Sequence, residues 1–463
     1  MVDAAARHLD CGLCAGASEV IDPTLRPYAE LTAPRYTSYP TAPHFHAGIA
    51  APQVRGWLAG LTPDARLGLY LHIPFCKEIC WYCGCHTVAS RRDAPVEAYA
   101  DTLAAEIDLI AAATPARRVD FIQWGGGTPN RLPPAAFAEI ANRLALRFDL
   151  SAVSEHSVEC DPRTLSPAHA AALADAGVTR ASLGLRDVNP HVQAAIGRVQ
   201  PYEQVANAML TLRRHGIERL NLDLMYGLPQ QSIADAVRSA EAAADLEPDR
   251  LAAFGYAHVP WFKTRQRLID ETTLPGADIR FDQAEAITQT LQARGYVAIG
   301  FDHFARPDDA MSAAAARGEL GRSFQGYTGE EVDALIGLGA SAISTYPDGY
   351  AQNAPDLKAY ARAIAAGDLA HGRGIALSGE DRVRRAVIER LLCDFAVDLA
   401  PLGGLGAFAG AAEPLAALAA DGLVETDADT VCVTPRARPF ARLAAQAFDA
   451  YRAAGAARHS RAV

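Results

Sequence analysis

The sequence predicts an α/β fold built on a parallel sheet of six βα units. Strand-like and helix-like segments alternate from Leu67 onward, the signature of βα repeats. The strand-like runs are almost continuously apolar, as in a sheet covered on its outer face. Polar and glycine residues recur at the C-terminal ends of these runs, the edge where parallel α/β folds build their sites.

An extension, residues 1–66, precedes the sheet. The first strand is GLYLHIPF (68–75), rich in β-formers and followed by Cys76. A helix over about 93–113 follows, with apolar residues at helical spacing in VEAYADTLAAEIDLI. The next strands are VDFIQWGGG (119–127), HSVECDP (156–162), TRASLGLR (179–186), RLNLDLMYG (219–227) and RLAAFGYAH (250–258). Amphipathic stretches at 133–148, 165–176, 203–214 and 233–246 separate them. Gly125, Gly126 and Gly127 end the second strand, and Glu159 and Asp161 end the third. Asp223 lies in the fifth and His258 ends the sixth. A further helix (ADIRFDQAEAITQTLQARG) and YVAIGFDHFARPDD bring this unit, 67–305, to its end. Residues 306–372 are glycine-rich and read as an irregular closing segment. From 373 to 463 the chain turns helical, and DGLVETDADTVCVTPRARPFARLAAQAF has the look of a small winged-helix module.

A chain of 463 residues with 50% hydrophobic content can bury a large core. No apolar run approaches the ~18 residues of a membrane span. The formal net charge is −11, and lysine occurs only at Lys77, Lys263 and Lys358. An acidic chain without a basic block argues against nucleic-acid binding, so the winged-helix-like end reads as a packing domain.

Four cysteines, Cys76, Cys80, Cys83 and Cys85, crowd into HIPFCKEICWYCGCHTV. The first three have C-x3-C-x2-C spacing. That puts three thiolates on one loop and supplies no fourth ligand at the same range, as in a [4Fe-4S] cluster with one open iron. Structural zinc usually takes two separated knuckles that close a tetrahedron, and fits poorly. The start, MVDAAARHLD, lacks the apolar core of a secretory signal. A cytoplasmic protein is expected, and there clustered cysteines point to metal or catalysis rather than disulfides. The thiolates alone leave electron transfer and radical chemistry both open. Cys11 and Cys14 form a lone C-x2-C, a weak signal in what reads as a mobile tail. Cys160, Cys393 and Cys432 read as small core residues.

From Pro34 nearly to the end, the chain resembles the oxygen-independent coproporphyrinogen III oxidases of the radical-SAM superfamily. The motifs that carry this are PRYTSYPTA (34–42), LHIPFCKEICWYCGC, WGGGTPN, VECDPRTL, NLDLMYGLPQQ, FGYAHVP, GFDHFARPDD, FQGYTG, SAIS and YAQN. The cluster spacing alone identifies the superfamily; PRYTSYPTA, FDHFARPDD and Cys85 narrow it. The resemblance implies an open (β/α)6 barrel of partial TIM type, a [4Fe-4S] cluster, and S-adenosylmethionine (SAM), two molecules per site. It assigns Cys76, Cys80 and Cys83 to the irons and leaves Cys85 outside the coordination sphere, as a catalytic group. Tyr70 and Tyr82 would line cluster and SAM, and Gly126, Gly127 and Thr128 would hold the methionine end. Glu159, Arg198 and Asp223 match SAM-binding positions. Ala257 and Ile343 match backbone contacts to a nucleoside. Phe324, Gln325 and Ile343 match the surroundings of a second SAM.

One position departs from the pattern. Arg186 stands where the family normally has glutamine, and brings a full charge toward a sulfonium ligand. It is tolerable if the guanidinium turns to SAM's carboxylate, to Glu159 or to Asp187. PRYTSYPTA would close over the substrate mouth, with Arg35 pairing a substrate carboxylate. His72 reads as structural, and His303 as a residue near the mouth.

The implied reaction is oxidative decarboxylation of coproporphyrinogen III to protoporphyrinogen IX. Electron transfer to SAM yields a 5′-deoxyadenosyl radical, which takes a hydrogen from a propionate; loss of CO2 and an electron leaves a vinyl group. A flavodoxin- or ferredoxin-type donor and a terminal acceptor are implied, and a monomer is expected. Two other readings are a haem-binding chaperone relative and another radical-SAM tetrapyrrole enzyme, such as a haem-degrading methyltransferase. The chaperone relatives typically lack the fourth cysteine and the PRYTSYP extension, which this chain has.

Overall fold

Each of the six strand–helix units forms where the sequence patterning puts it. The computed structural model describes residues 25–324 and 326–452. After helix α1 (Ala51–Ala59), β1 spans Leu67–Ile73 and α2 Ala94–Ala113. Then follow β2 (Val119–Gly126), α3 (Pro134–Arg147), β3 (Glu155–Cys160), α4 (Pro167–Asp175) and β4 (Arg180–Arg186). A short helix α5 (Pro190–Ala195) and α6 (Tyr202–Arg214) lead to β5 (Arg219–Tyr226), α7 (Ile233–Asp245) and β6 (Arg250–Gly255). Helices start on recognisable signals. Ser166 accepts from the His169 N–H at the head of α4, and Ser232 and Asp235 form a reciprocal capping box on α7. In α2 the buried residues Val96, Tyr99, Ala100, Leu103, Ile107 and Ile110 recur every three or four positions, one face against the sheet.

Beyond β6 come α8 (Ala277–Ala293), the short antiparallel strands β7 (Val297–Ile299) and β8 (His303–Ala305), and α9 (Ala310–Ala316). The sixth strand ends at Gly255, three residues before His258. Residues 306–372 are more regular than their glycine content suggests. They hold a small hairpin, β9 (Gly321–Ser323) and β10 (Gly326–Thr328). They also hold β11 (Ala334–Leu338), β12 (Ile343–Tyr346), β13 (Gly349–Asn353), α10 (Leu357–Ala365) and the start of β14 (His371–Ala376).

The main sheet has twelve strands in the order β14-β13-β12-β11-β1-β2-β3-β4-β5-β6-β8-β7. Strands β1 to β6 are parallel neighbours, and β11 adds a further parallel strand beside β1. Antiparallel strands then extend both ends. The two edges, β14 and β7, are not paired with each other, so the barrel stays open.

A buried carboxylate ties the added strands to the first unit. Glu106 of α2 is 1% exposed and accepts from Gly339 N, Asn353 Nδ2 and the Tyr360 hydroxyl at 2.6, 2.6 and 2.7 Å. Burial lifts its pKa to about 7, against the pull of these donors. Glu106→Ala leaves three buried donors without their acceptor. The expected loss of stability is about 3 kcal/mol or more, read as a lowered midpoint in thermal or denaturant unfolding; an unchanged midpoint would remove Glu106 as the tie.

The C-terminal part combines α11 (Gly379–Cys393), α12 (Ala412–Ala420) and α13 (Ala441–Gln446) with an antiparallel sheet of β15 (Ala396–Asp398), β16 (Val424–Thr426) and β17 (Thr430–Val433). This is the helical, winged-helix-like module expected. Its core also takes in Leu25, Ala29, Ala33, Tyr36 and Tyr39 from the N-terminal extension. PRYTSYPTA is therefore a packed strap, anchored by Tyr36 Oη on Asp449 (2.9 Å) and by the Ala450 N–H on Tyr39 Oη (2.9 Å). Cys160 and Cys393 are buried and Cys432 is half-buried. Cys11 and Cys14 lie outside the described residues. Among those residues no single helix is long and apolar enough to cross a membrane.

Candidate active site

The cysteine loop leaves β1 at the C-terminal edge of the sheet. Phe75–Cys76 pair in parallel with Val88–Ala89, which closes the base of the loop. Its tip is fixed from two sides: Trp81 N donates to Ile196 O at 3.0 Å, and Gln266 Nε2 donates to Tyr82 O at 2.9 Å. Cys76 and Cys80 are buried, Cys83 is half-buried and Cys85 is exposed.

Each thiol has a distinct polar setting. The hydroxyls of Thr87 and Thr128 both lie 3.3 Å from Cys76 Sγ. Arg198 Nη1 donates to Cys80 Sγ at 3.4 Å, and Arg163 Nη2 stands 3.7 Å away. Cys83 is drawn down to about 6, first by a hydrogen bond with Cys85 and then by Arg186 and Lys263, while that same bond pushes the Cys85 thiol up. Thiolate ligands suit this electropositive loop. Among the described residues no three His, Cys, Asp or Glu side chains gather tightly enough for one metal ion.

The glycine run after β2 packs against this loop. A Cβ on Gly126, whose φ is +107°, would lie 2.6 Å from the His72 ring. A Cβ on Gly127 would lie 2.5 Å from Thr87 Oγ1 and 2.8 Å from Phe75 N. His72 is structural, as its sequence context suggested: Nε2 donates to His86 O and Nδ1 accepts from Tyr70 Oη, both at 3.0 Å. Burial holds it neutral, at about 4. Tyr99 of α2 donates to His72 O at 2.7 Å and keeps this strand end in place.

Next along the edge lie Glu159, Arg186 and Asp223. Arg186 Nη2 is 3.2 Å from Asp223 Oδ2. Burial, and then Asp223, lift Glu159 to about 7, and Arg186 opposes the rise. The partners expected for Arg186 are corrected in one respect. A bulge between Gly184 and Arg186, with Arg186 at φ +68°, turns this side chain toward Asp223 and Glu159. Asp187 faces the other way and bonds Asn189 N (2.6 Å) and Gln231 Nε2 (2.8 Å). Arg198 is pinned by Gly184 O at 2.9 Å and lies 3.6 Å from Asp161, which Arg163 holds at 2.7 Å.

Tyr70 and Tyr82 flank the thiols electrostatically: Tyr70 faces Glu159 and Cys85, and Tyr82 faces Arg198, Arg186 and Cys80. The Ala257 carbonyl follows β6 and accepts from Gln266 Nε2 at 3.1 Å. Phe324 and Ile343 border one apolar cluster with Phe45 and Tyr350. Gln325 lies outside the described residues. His303 on β8 bonds Asp302 at 2.6 Å and meets the rings of Phe254 and Tyr327 edge-on. Sequence reasoning missed Thr87, Arg163 and Lys263, whose Nζ reaches Cys85 O at 3.3 Å. Arg163 was findable as the first arginine after Asp161 at a strand end.

Comparison with known proteins agrees with this geometry. The family model described as Radical SAM superfamily matches residues 70–243, and the one described as HemN C-terminal domain matches 377–440. The oxygen-independent coproporphyrinogen III oxidase of Bradyrhizobium diazoefficiens is 46% identical over 445 residues, covering 94% of this chain and 98% of that protein. The protein of the same name from Escherichia coli is 38% identical, covering 90% and 93%. The solved structure of the E. coli coproporphyrinogen III oxidase (HemN), described as a radical SAM enzyme, superposes with a TM-score of 0.86 at 37% identity, over 90% of this chain and 97% of that one. The chain belongs to the oxygen-independent coproporphyrinogen III oxidase family of the radical SAM superfamily.

Proposed function

We propose that this chain catalyses the oxygen-independent oxidative decarboxylation of coproporphyrinogen III to protoporphyrinogen IX, in haem biosynthesis. The observation that carries the reading is the sheet edge itself: three thiols among arginines, with the half-buried Glu159–Arg186–Asp223 group beside them. A [4Fe-4S] cluster with bound SAM supplies, when present there, a 5′-deoxyadenosyl radical that removes a hydrogen atom. Cys76, Cys80 and Cys83 hold the cluster, and Arg198 and Arg163 stabilise the Cys80 thiolate. Tyr70 and Tyr82 limit water at the site. Gly126, Gly127 and Thr128 receive the methionine end, and Glu159, Arg186, Arg198, Asp223 and Ala257 the rest of SAM. Phe324 and Ile343 would border a second SAM. Cys85 keeps its proton and presents a thiol to the substrate. Each of two propionates gives up a hydrogen atom to the radical, CO2, and one electron to an external terminal acceptor, leaving a vinyl group.

The reductant is a flavodoxin- or ferredoxin-type protein. Exposed Lys77, Arg91 and Arg265 surround a cleft beside the cluster loop; Glu78 pairs Arg91 there at 2.6 Å, and the lining stays net positive, which suits an acidic donor. Product analysis tests the function. The reconstituted protein, incubated without oxygen with coproporphyrinogen III, SAM and a strong reductant, should release CO2 and form a divinyl product. A methylated, ring-opened product, or unchanged substrate, would contradict the reading.

The Glu159 environment predicts a pH dependence. Its carboxyl is raised to about 7, so it is protonated below that value and ionised above it. SAM carries sulfonium and ammonium charges that an ionised carboxylate attracts. Affinity for SAM should therefore fall by about tenfold between pH 8 and pH 6, and Glu159→Gln should flatten the profile. A wild-type profile that is flat, or that rises toward acid, would rule this out.

A further inference from the structure

Three arginines from distant parts of the chain converge at the C-terminal ends of β5 and β6. Arg35, on the N-terminal strap, donates to the carbonyl of Gly255 at 3.2 Å. Arg442 of α13 donates to Ala33 O at 3.3 Å and lies 5.7 Å from the Phe301 ring. Arg322 of β9 stands between two rings, 4.6 Å from Phe301 and 4.5 Å from Tyr327. The carboxylate facing all three is Asp302, 4.0 Å from Arg322 Nη2 and already bonded to His303.

Arg322 is the decisive member. Its side chain is 5% exposed, yet its Nε and Nη1 are buried with no acceptor among the described residues. A buried charged donor without an acceptor is costly, and like charges crowded in a dry site repel. By contrast, the buried Arg180 and Arg250 share two carboxylates, Glu155 and Asp309, at 2.8 to 3.2 Å. Arg322 has no such pair for two of its nitrogens. The convergence draws on the strap, the β9–β10 hairpin and the C-terminal module, three parts of the chain that lie outside the six βα units. Its arginines repel one another: burial and Arg35 bring Arg442 down to about 10.

We propose that Arg322, with Arg35 and Arg442 beside it, is the receptor for a propionate carboxylate of the porphyrinogen. This rests on the function proposed above. Arg322 packs into the corner of two rings whose planes lie 72° apart, and its Nε and Nη1 are left without an acceptor, which suits an incoming carboxylate. SAM also carries a carboxylate, but with an ammonium on the adjacent carbon, which three arginines would repel. A tetracarboxylate brings no such charge. The convergence lies at the β6 end of the same sheet edge as the thiols, since Gln266 bridges Tyr82 O on the cysteine loop and Ala257 O just beyond β6. A propionate held by Arg322 places the porphyrinogen across that edge.

The test uses reconstituted holoenzyme and the variants Arg322→Gln and Arg322→Lys. Three quantities are measured anaerobically: KM for coproporphyrinogen III, the dissociation constant of coproporphyrin III by fluorescence, and the dissociation constant of SAM. Arg322→Gln should weaken both porphyrin measures by about tenfold or more, with Lys intermediate and SAM affinity unchanged. Loss of porphyrin affinity with SAM affinity intact, and its partial return with Lys, is the readout that a merely structural arginine would not give. Wild-type affinity for the tetramethyl ester of coproporphyrin should be as weak as that of the variant for the free acid. Equal porphyrin binding by wild type and Arg322→Gln overturns the assignment while leaving the function intact. Loss of SAM affinity alone would overturn it in favour of a SAM-carboxylate site. A wild type that neither binds nor converts the porphyrinogen would overturn the functional reading and the assignment with it.

Discussion

Serine at Cys76, Cys80 or Cys83 should abolish the [4Fe-4S] signal and the cleavage of SAM together. A serine hydroxyl is a harder and far less acidic ligand than a thiol, and the loop offers no replacement at that range. The fourth cysteine is exposed at the mouth and hydrogen-bonded to Cys83. Cys80→Ser has a further consequence: Arg198 and Arg163 keep their positive charge beside a neutral oxygen. Iron and sulfide content, the absorption spectrum and electron paramagnetic resonance of the reduced protein check the cluster, and 5′-deoxyadenosine formation checks SAM cleavage. A variant at any of these three positions that keeps a full cluster and full cleavage would show the ligand assignment to be wrong.

Cys85→Ser should do something different. The cluster should assemble with wild-type iron content and SAM should still be cleaved, while the vinyl product falls below detection. Cys85 lies two residues beyond Cys83, and Lys263 holds its carbonyl at 3.3 Å, so the loop should keep its shape with a serine there. The bond with Cys83 lowers the Cys83 pKa, and a serine hydroxyl can replace that donor. What is lost is the thiol at the mouth. Retained product formation would reduce Cys85 to a loop residue, and loss of the cluster would make it a ligand.

Much of the fold was legible because six strands of six to eight residues are long enough to show an apolar run, and because each is followed by a helix with its own period. The site's cysteines and glycines were legible because they are local: one loop, and one strand end beside it. The additions to the sheet were not. Strands such as His303–Ala305 and Ile343–Tyr346 span three or four residues, too few to express alternation. Arg186 shows a second limit. Its neighbour Asp187 is adjacent in sequence, but successive side chains of an extended chain alternate in direction, so Asp187 meets Asn189 and Gln231 while the partner Arg186 meets, Asp223, comes from the next strand. Arg322 and Arg442 show a third. Arg35 was marked by its place in PRYTSYPTA, but nothing local marks the other two, since their meeting with it depends on the strap and the C-terminal module packing as one core.

That core also changes how the strap can be tested. Removing residues 1–42 would take Leu25, Tyr36 and Tyr39 out of the C-terminal module as well as Arg35 from the mouth. Point substitution at Arg35 is the cleaner probe of the substrate mouth.

The most direct test of the central claim follows one hydrogen atom. Coproporphyrinogen III carrying deuterium at the β-carbons of its propionates is turned over without oxygen by the reconstituted protein, and the 5′-deoxyadenosine is analysed by mass spectrometry. Deuterium in the 5′-deoxyadenosine, rising together with CO2 and vinyl product, is the predicted result. Vinyl product formed with unlabelled 5′-deoxyadenosine, or SAM cleavage that never takes deuterium from the substrate, would contradict the account.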